Sequence, residues 1–131
     1  MSIRKDYLLR MIEQMARVLA RIRELLAAGK TTEARAELER AARTAGLDIA
    51  IILSLTPDSL IPMLTVNGEI DRPKCALFAE VLYLERQRAL ADGDEARAAR
   101  CAERARLLFV LAYEGTHMDD ETQAKFAEVG G

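Results

Sequence analysis

Apolar residues recur along the start of this chain at the spacing of one face of an α-helix. From residue 8 to residue 26 they follow alternating steps of four and three, and a second apolar stripe runs beside the first. A helix turns once every 3.6 residues, so this spacing predicts a helix over 3–28 with a wide apolar face. The two stripes consist of Leu8, Ile12, Met15, Leu19, Ile22 and Leu26, and of Tyr7, Met11, Val18 and Leu25.

Glycines end the first two predicted helices. Gly29 closes the first helix and Gly46 closes a second one over 31–45, because glycine adopts the left-handed conformation of a helix end without strain. We expect Thr31 or Thr32 as the N-cap of this second helix. The short link predicts that the two helices are antiparallel neighbours. The buried stripe of the second helix would be Ala34, Leu38, Ala41 and Ala45.

A second pair of long helices is predicted farther along. Asp71 to Pro73 opens a helix that runs to about Ala91, and its first half leaves little polar face, which is typical of a central, buried helix. Asp92-Gly93-Asp94 then breaks the chain and caps a helix over 94–113. Gly115 ends that helix.

The remaining segments are shorter. We interpret 48–55 as a short buried helix, 57–65 as a second short helix opened by Thr56-Pro57, and Asn67-Gly68 as a turn. Thr116, with Asp119 three residues on, resembles a capping box and predicts a last helix over about 117–128. The sequence therefore predicts an all-α fold of six to seven helices in one compact domain. Its parts are a hairpin at 3–45, an insertion of short helices at 47–70, a hairpin at 71–113 and a C-terminal helix at 116–129.

Composition and charge narrow the class of protein. The chain has 131 residues, of which half are apolar and 31% are charged, so it can bury a core. The net charge of −2 creates no field that recruits nucleic acid or anionic lipid, and we expect neither as a partner. No apolar run is long enough to span a bilayer. We therefore predict a cytoplasmic protein, with Cys75 and Cys101 as reduced, buried packing residues.

The two predicted hairpins share a pattern of small residues. In both, a glycine is followed at offsets of five, nine and twelve by residues that let the second helix cross the first closely. The positions are Gly29 with Ala34, Leu38 and Ala41, and Gly93 with Ala98, Ala102 and Ala105. This spacing resembles the tetratricopeptide repeat over 8–45 and 73–113. The two units are 64 residues apart rather than about 34, so 47–70 would be an insertion between them.

The opening of the chain carries a second resemblance. Residues 3–14, Ile-Arg-Lys-Asp-Tyr-Leu-Leu-Arg-Met-Ile-Glu-Gln, are similar to the start of a small bacterial family of uncharacterised helical proteins. That resemblance implies a helical fold and supplies no activity.

Catalytic and cofactor chemistry finds little support in the sequence. His117 is the only histidine, and its neighbours Asp119, Asp120 and Glu121 are typical of a polar helix start as well as of a metal site. No phosphate-binding loop, nucleophile elbow, zinc-binding spacing or dinucleotide fingerprint is present. We expect no enzymatic activity, no metal and no cofactor.

One polar stripe suggests a binding surface. Arg10, Gln14, Arg17 and Arg21 follow each other at steps of four, three and four along the first helix, and we call them the arginine stripe. In tetratricopeptide folds the first helix of each pair lines the concave surface, so the resemblance implies a groove for an acidic peptide or a carboxyl terminus. On the second unit the same resemblance places Glu80, Tyr83 and Gln87 in this groove. The alternative is a solvated helix face whose charges pair with acids of the same chain.

The leading hypothesis is a non-catalytic helical scaffold that binds a protein or an acidic peptide. A structural homo-oligomer without a third partner is the alternative, because the wide apolar face of the first helix and the uncapped repeats could be covered by a homodimer. A small metal- or ligand-dependent enzyme that uses His117 is the least favoured hypothesis.

Overall fold

The computed structural model describes the backbone of residues 3–131 and most of their side chains. The side chains of residues 3–9, 11 and 12 lie outside the described residues, and with them the predicted stripe members Tyr7, Leu8, Met11 and Ile12. The predicted all-α fold is confirmed. Its seven helices are α1 (Ile3–Ala27), α2 (Thr31–Thr44), α3 (Ile49–Ser54), α4 (Leu60–Met63), α5 (Arg72–Ala91), α6 (Glu95–Tyr113) and α7 (Asp120–Glu128). A 3₁₀ turn (Pro57–Ser59) and two short strands, β1 (Thr65–Val66) and β2 (Glu69–Ile70), complete the described elements.

Two of the glycines that were predicted at helix ends, Gly29 and Gly93, turn the chain with the same geometry. Gly29 has a φ of +74° and Gly93 a φ of +77°. In each turn the residue after the glycine donates its amide N–H to the carbonyl five residues earlier, at 2.9 Å after Gly29 and 2.8 Å after Gly93. This hydrogen bond is typical of a Schellman ending, which needs a residue in the left-handed region.

Helix α5 lies at the centre of the molecule, as its apolar sequence predicted. It contacts α1, α2 and α6, and its contact with α6 is the most extensive between two helices of the described chain. The small residues that follow the two glycines are buried, except for the half-buried Ala102. The core of the domain is formed around α5 by Met15, Leu19, Ile22, Leu38, Leu82, Leu108 and Phe109, among others.

The insertion at 47–70 differs from its prediction in its second half. Short helices do cover most of 49–63, but 65–70 is not helical. There β1 pairs antiparallel with β2 around Asn67 and Gly68, whose φ angles are +53° and +80°. An Asn-Gly pair with two positive φ angles is the preferred two-residue loop of a β-hairpin, and it turns the chain more sharply than a helix end would.

Two predicted helix starts are wrong. The N-cap of α2 is Lys30, which makes no side-chain capping bond, and neither Thr31 nor Thr32 has that role. Helix α7 begins at Asp120 rather than near 117, because the Asp119 carboxylate accepts the amide N–H of Thr122 at 2.7 Å. A charged acceptor caps the positive end of a helix better than the hydroxyl of a threonine three residues earlier.

A buried arginine attaches the insertion to the rest of the domain. The Nε of Arg104, on α6, donates to the carbonyl of Ile52 at 3.0 Å, and its Nη2 donates to the carbonyl of Leu55. These carbonyls lie at the C-terminal end of α3, where a helix has few donors of its own for its last carbonyl groups. The Ile52 carbonyl accepts only a long bond from the Leu55 N–H there, at 3.4 Å. Arg104 therefore satisfies the end of α3 and fixes it on α6.

Candidate functional site

The arginine stripe lies on the surface of α1. All four side chains are exposed. Among the residues that the structure describes, no carboxylate forms an ion pair with Arg10, Arg17 or Arg21. The guanidinium groups are therefore available to carboxylates from outside this part of the chain.

The residues that were predicted on α5 lie beneath helix α7. The hydroxyl of Tyr83 donates to the Glu128 carboxylate at 2.5 Å, and the ammonium group of Lys125 donates to the Glu80 carboxylate at 2.9 Å. The amide of Gln87 donates to the hydroxyl of Tyr83 at 3.0 Å. Each of the three side chains of this predicted half of the groove thus has a hydrogen-bond partner inside the protein, and α7 supplies the partners of Glu80 and Tyr83.

The environment of Tyr83 is unusual for a tyrosine. Burial and the hydrogen bond to Glu128 raise its pKa to about 12, because a phenolate at this place would be desolvated and would face a carboxylate. The Lys125 ammonium lies 5.8 Å from the centre of the Tyr83 ring, on its face. Tyr83 is therefore a neutral donor at physiological pH, in contact with two charged residues of α7, Lys125 and Glu128.

The arginine stripe and the α5 residues do not form one groove. A cavity of about 290 Å³ opens between α1, α5 and α7, beside Glu80 and Lys125. The α1 residues that face it are Ala16, Leu19 and Arg23. At about 100° per residue, these three lie on roughly the opposite side of α1 from the arginine stripe. The structure therefore separates the predicted set into an exposed stripe on α1 and a face of α5 that α7 covers.

A second opening lies beyond the C-terminal end of α7. This cavity of about 400 Å³ has a floor of small residues from α6, Ala98, Ala99 and Ala102, and an apolar wall formed by Leu90 of α5. Leu90 is 45% exposed. The surface on which α7 lies is thus longer than α7 itself.

Two of the acids considered with His117 for a metal site, Asp119 and Glu121, line the cavity of about 290 Å³. His117 is exposed in the link between α6 and α7, and within the described residues no three His, Cys, Asp or Glu side chains come together as metal ligands. Cys75 and Cys101 are buried free thiols, as predicted for packing residues. Burial raises the pKa of both thiols to about 12, which keeps them protonated and unreactive at neutral pH.

A buried ionic cluster was not predicted. Glu85 is 1% exposed, and its carboxylate accepts from the Nε of Arg88 at 2.6 Å and from the Nε of Arg97 at 2.8 Å. Arg88 also pairs with Asp92 at 2.5 Å. Because Arg97 belongs to α6, the cluster joins α5 to α6 across the turn. The sequence feature that could have predicted this cluster is the apolar character of α5. A charged residue on a helix that is buried nearly all round must itself be buried and paired.

In the part of the chain that the structure describes, no helix combines the length and the apolar character needed to cross a bilayer. Comparison of the chain with protein-family models, with curated proteins and with solved structures found no match. A function must therefore be inferred from the surfaces described above.

Proposed function

We propose that this protein is a non-catalytic helical scaffold that binds an acidic segment of a partner protein along the arginine stripe. The observation that supports this proposal is the exposure of three arginines on one helix face, without carboxylate partners among the described residues. Arginine suits this function because its planar guanidinium group binds a carboxylate through two parallel hydrogen bonds.

The spacing of the stripe defines the peptide that fits it. A helix rises 1.5 Å per residue, so Arg17 and Arg21 are about 6 Å apart along α1, and Arg10 and Arg17 are about 10 Å apart. An extended peptide rises about 3.3 Å per residue, and only side chains an even number of residues apart share a face. Carboxylates two residues apart therefore match Arg17 and Arg21, and a carboxylate four residues farther, about 13 Å away, is within reach of the long side chain of Arg10. The Gln14 side chain lies between the arginines and can donate to and accept from the peptide backbone.

Calorimetric titration with such a peptide tests the proposal. We use a blocked peptide with three glutamates at positions i, i+2 and i+6, and compare the wild-type protein with the Arg10→Ala/Arg17→Ala/Arg21→Ala variant. Because each lost pair is charge-assisted, we expect the dissociation constant to rise at least tenfold in the variant, and to rise with salt in the wild type.

A matched variant separates the stripe from general charge. Arg40→Ala/Arg43→Ala/Arg100→Ala removes three exposed arginines from α2 and α6, and therefore the same net charge. We expect it to bind the peptide like the wild type. Equal losses in both triple variants would show a diffuse charge effect and would refute a specific site on α1.

A further inference from the structure

Helix α7 has the features of a docked segment. It has nine residues, and it follows a link at 114–119 in which only Met118 is not exposed. A helix of this length is not stable alone in water, so its conformation depends on the surface beneath it. That surface, which we call the α5–α6 face, is formed by Glu80, Tyr83 and Arg86 of α5 and Phe109 of α6.

The α5–α6 face recognises α7 through paired charges. Lys125 pairs with Glu80, and one helical turn later Glu128 binds Tyr83 and lies 3.7 Å from Arg86. Residues three apart lie on one side of a helix, so the positive and the negative group of α7 both point at this face. From the N- to the C-terminal end of both helices, a positive and then a negative residue of α7 therefore face a negative and then a positive residue of α5.

Apolar side chains complete the contact. The ring of Phe126 meets that of Phe109 edge to face, with centres 6.2 Å apart and planes at 72°. Val129, which follows the helix, is 3% exposed. The pattern that the α5–α6 face reads is thus a lysine, an aromatic residue directly after it, a glutamate three positions on and an apolar residue at the fourth.

The α5–α6 face extends farther than α7 does. Beyond the end of α7 the cavity of about 400 Å³ leaves Leu90 and the small residues of α6 uncovered. A helix of fourteen to sixteen residues, at 1.5 Å per residue, would be roughly 8–10 Å longer than α7 and would also cover Leu90. A longer helix would therefore bury apolar surface that α7 leaves in contact with water.

We propose that the α5–α6 face binds an amphipathic helix of a partner protein in the place of α7. The partner helix carries the Lys-aromatic-x-Glu-apolar pattern of α7 and continues with an apolar residue over Leu90, and α7 occupies the face when no partner is bound. This mode is the helix-in-groove type of recognition. This binding mode does not involve the arginine stripe, which lies on the side of α1 that faces away from the cavity beside α7.

Because α7 is tethered to the protein, its replacement by a free helix is best measured in a variant whose own α7 binds weakly. A short link holds α7 near the face at an effective concentration in the millimolar range, so a free helix competes poorly with the intact protein. Removal of the two charged anchors of α7 leaves the α5–α6 face unaltered and weakens only its tethered competitor. The Lys125→Ala/Glu128→Ala variant is therefore the receptor, and the probe is a fluorescent peptide with the native sequence of residues 117–131.

Fluorescence anisotropy measures how tightly the probe binds each protein. We expect the probe to bind the Lys125→Ala/Glu128→Ala variant at least tenfold more tightly than the wild-type protein. A probe that carries the same two substitutions should not bind either protein at the same concentrations. Addition of Glu80→Lys to the receptor should abolish binding of the native probe, and a probe with Lys125→Glu should restore it.

The rescue separates recognition from damage to the fold, because a misfolded receptor cannot be restored by a reversed charge on the peptide. Circular dichroism of each receptor variant provides a second check of folding. Equal affinity of the native probe for the wild type and for the Lys125→Ala/Glu128→Ala variant would overturn the proposal. Failure of the reversed probe to bind the Glu80→Lys receptor would overturn it as well. The Arg10→Ala/Arg17→Ala/Arg21→Ala variant should bind the probe like the wild type, which keeps this test independent of the proposed function.

Discussion

Glu85 uses both of its carboxylate oxygens inside the core, at a position where few proteins tolerate a charge. Replacement by alanine leaves the guanidinium of Arg88, which is 3% exposed, without its buried partner and with only the more exposed Asp92 as a counter-charge. The loss of one member of a buried ion pair costs more than the pair itself contributes, because the remaining charge stays desolvated. We expect Glu85→Ala to lower the free energy of unfolding by about 3–5 kcal/mol, measured by urea denaturation.

A double variant provides the control for this loss. Glu85→Leu/Arg88→Leu removes both buried charges and fills the space with apolar atoms, so we expect its stability to lie closer to that of the wild type than to that of Glu85→Ala. A double variant less stable than Glu85→Ala would show that the intact pair, and not the stranded charge, accounts for the energy.

For individual residues, the sequence predicts that α5 is buried but not which groups pair with its charged side chains. The apolar faces around Glu85 indicate a core position. Its second partner, Arg97, is twelve residues away on the next helix, and periodicity within one helix gives no information on such a contact. The same limit applies to Arg104, whose two carbonyl partners in the insertion are 49 and 52 residues away.

Among the elements, the turn between α5 and α6 depends on the backbone of a single residue. Gly93 has a φ of +77°, and no atom lies within 4 Å of the place where a Cβ would stand. A substitution there meets only conformational strain, so Gly93→Ala should destabilise the protein by about 1–2 kcal/mol. Asparagine tolerates the left-handed region better, and we expect Gly93→Asn to lose less than Gly93→Ala in thermal or urea unfolding.

The equivalent turn after α1 offers an internal comparison. Gly29 has nearly the same φ and the same open surroundings, so Gly29→Ala should follow the same order relative to Gly29→Asn. If alanine were tolerated as well as asparagine at both glycines, the left-handed conformation would not be what these turns require.

The long helices and their ends were the most predictable elements. Apolar periodicity located α1, α2, α5 and α6, and the glycines located their turns, because both signals act within a few residues. The small hairpin at 65–70 was missed although Asn67-Gly68 carries its signal, since two-residue strands show no alternation that could distinguish them from a plain turn. The cap of α2 was misassigned because its N-cap residue, Lys30, makes no side-chain capping bond and carries no capping signal. The cap of α7 was misassigned because Thr116 and Asp119 both offer a capping oxygen.

The whole molecule consists of four long helices with two attached segments, the insertion and α7. Both attachments use side chains far apart in sequence, such as the Tyr83–Glu128 and Arg104–Ile52 pairs. The sequence predicted the faces of the long helices, including the arginine stripe, because such faces follow from periodicity within one helix. It could not predict that α7 covers the α5 half of the expected groove. A homodimer stays a prediction of the sequence, which sedimentation equilibrium can test.

Attachment of the insertion through Arg104 leads to a prediction about local stability. Arg104→Met keeps much of the side-chain volume but removes the guanidinium donor from the carbonyls of Ile52 and Leu55, at a cost of about 1–3 kcal/mol. Because α3 has only six residues, we expect the free energy of local opening at its amides to fall by this amount, so that they exchange faster with solvent. The amides of α5 should keep their protection.

Native-state hydrogen exchange followed by NMR distinguishes this local opening from a global loss. Arg104→Lys should behave like Arg104→Met, because one ammonium group cannot span two carbonyls as the guanidinium fork does. Arg100→Met removes an exposed arginine one turn earlier on α6 and should leave α3 unchanged. Equal loss of protection in α3 and α5 would contradict the prediction, since the insertion would then unfold only with the four-helix body and Arg104 would not be a separate attachment.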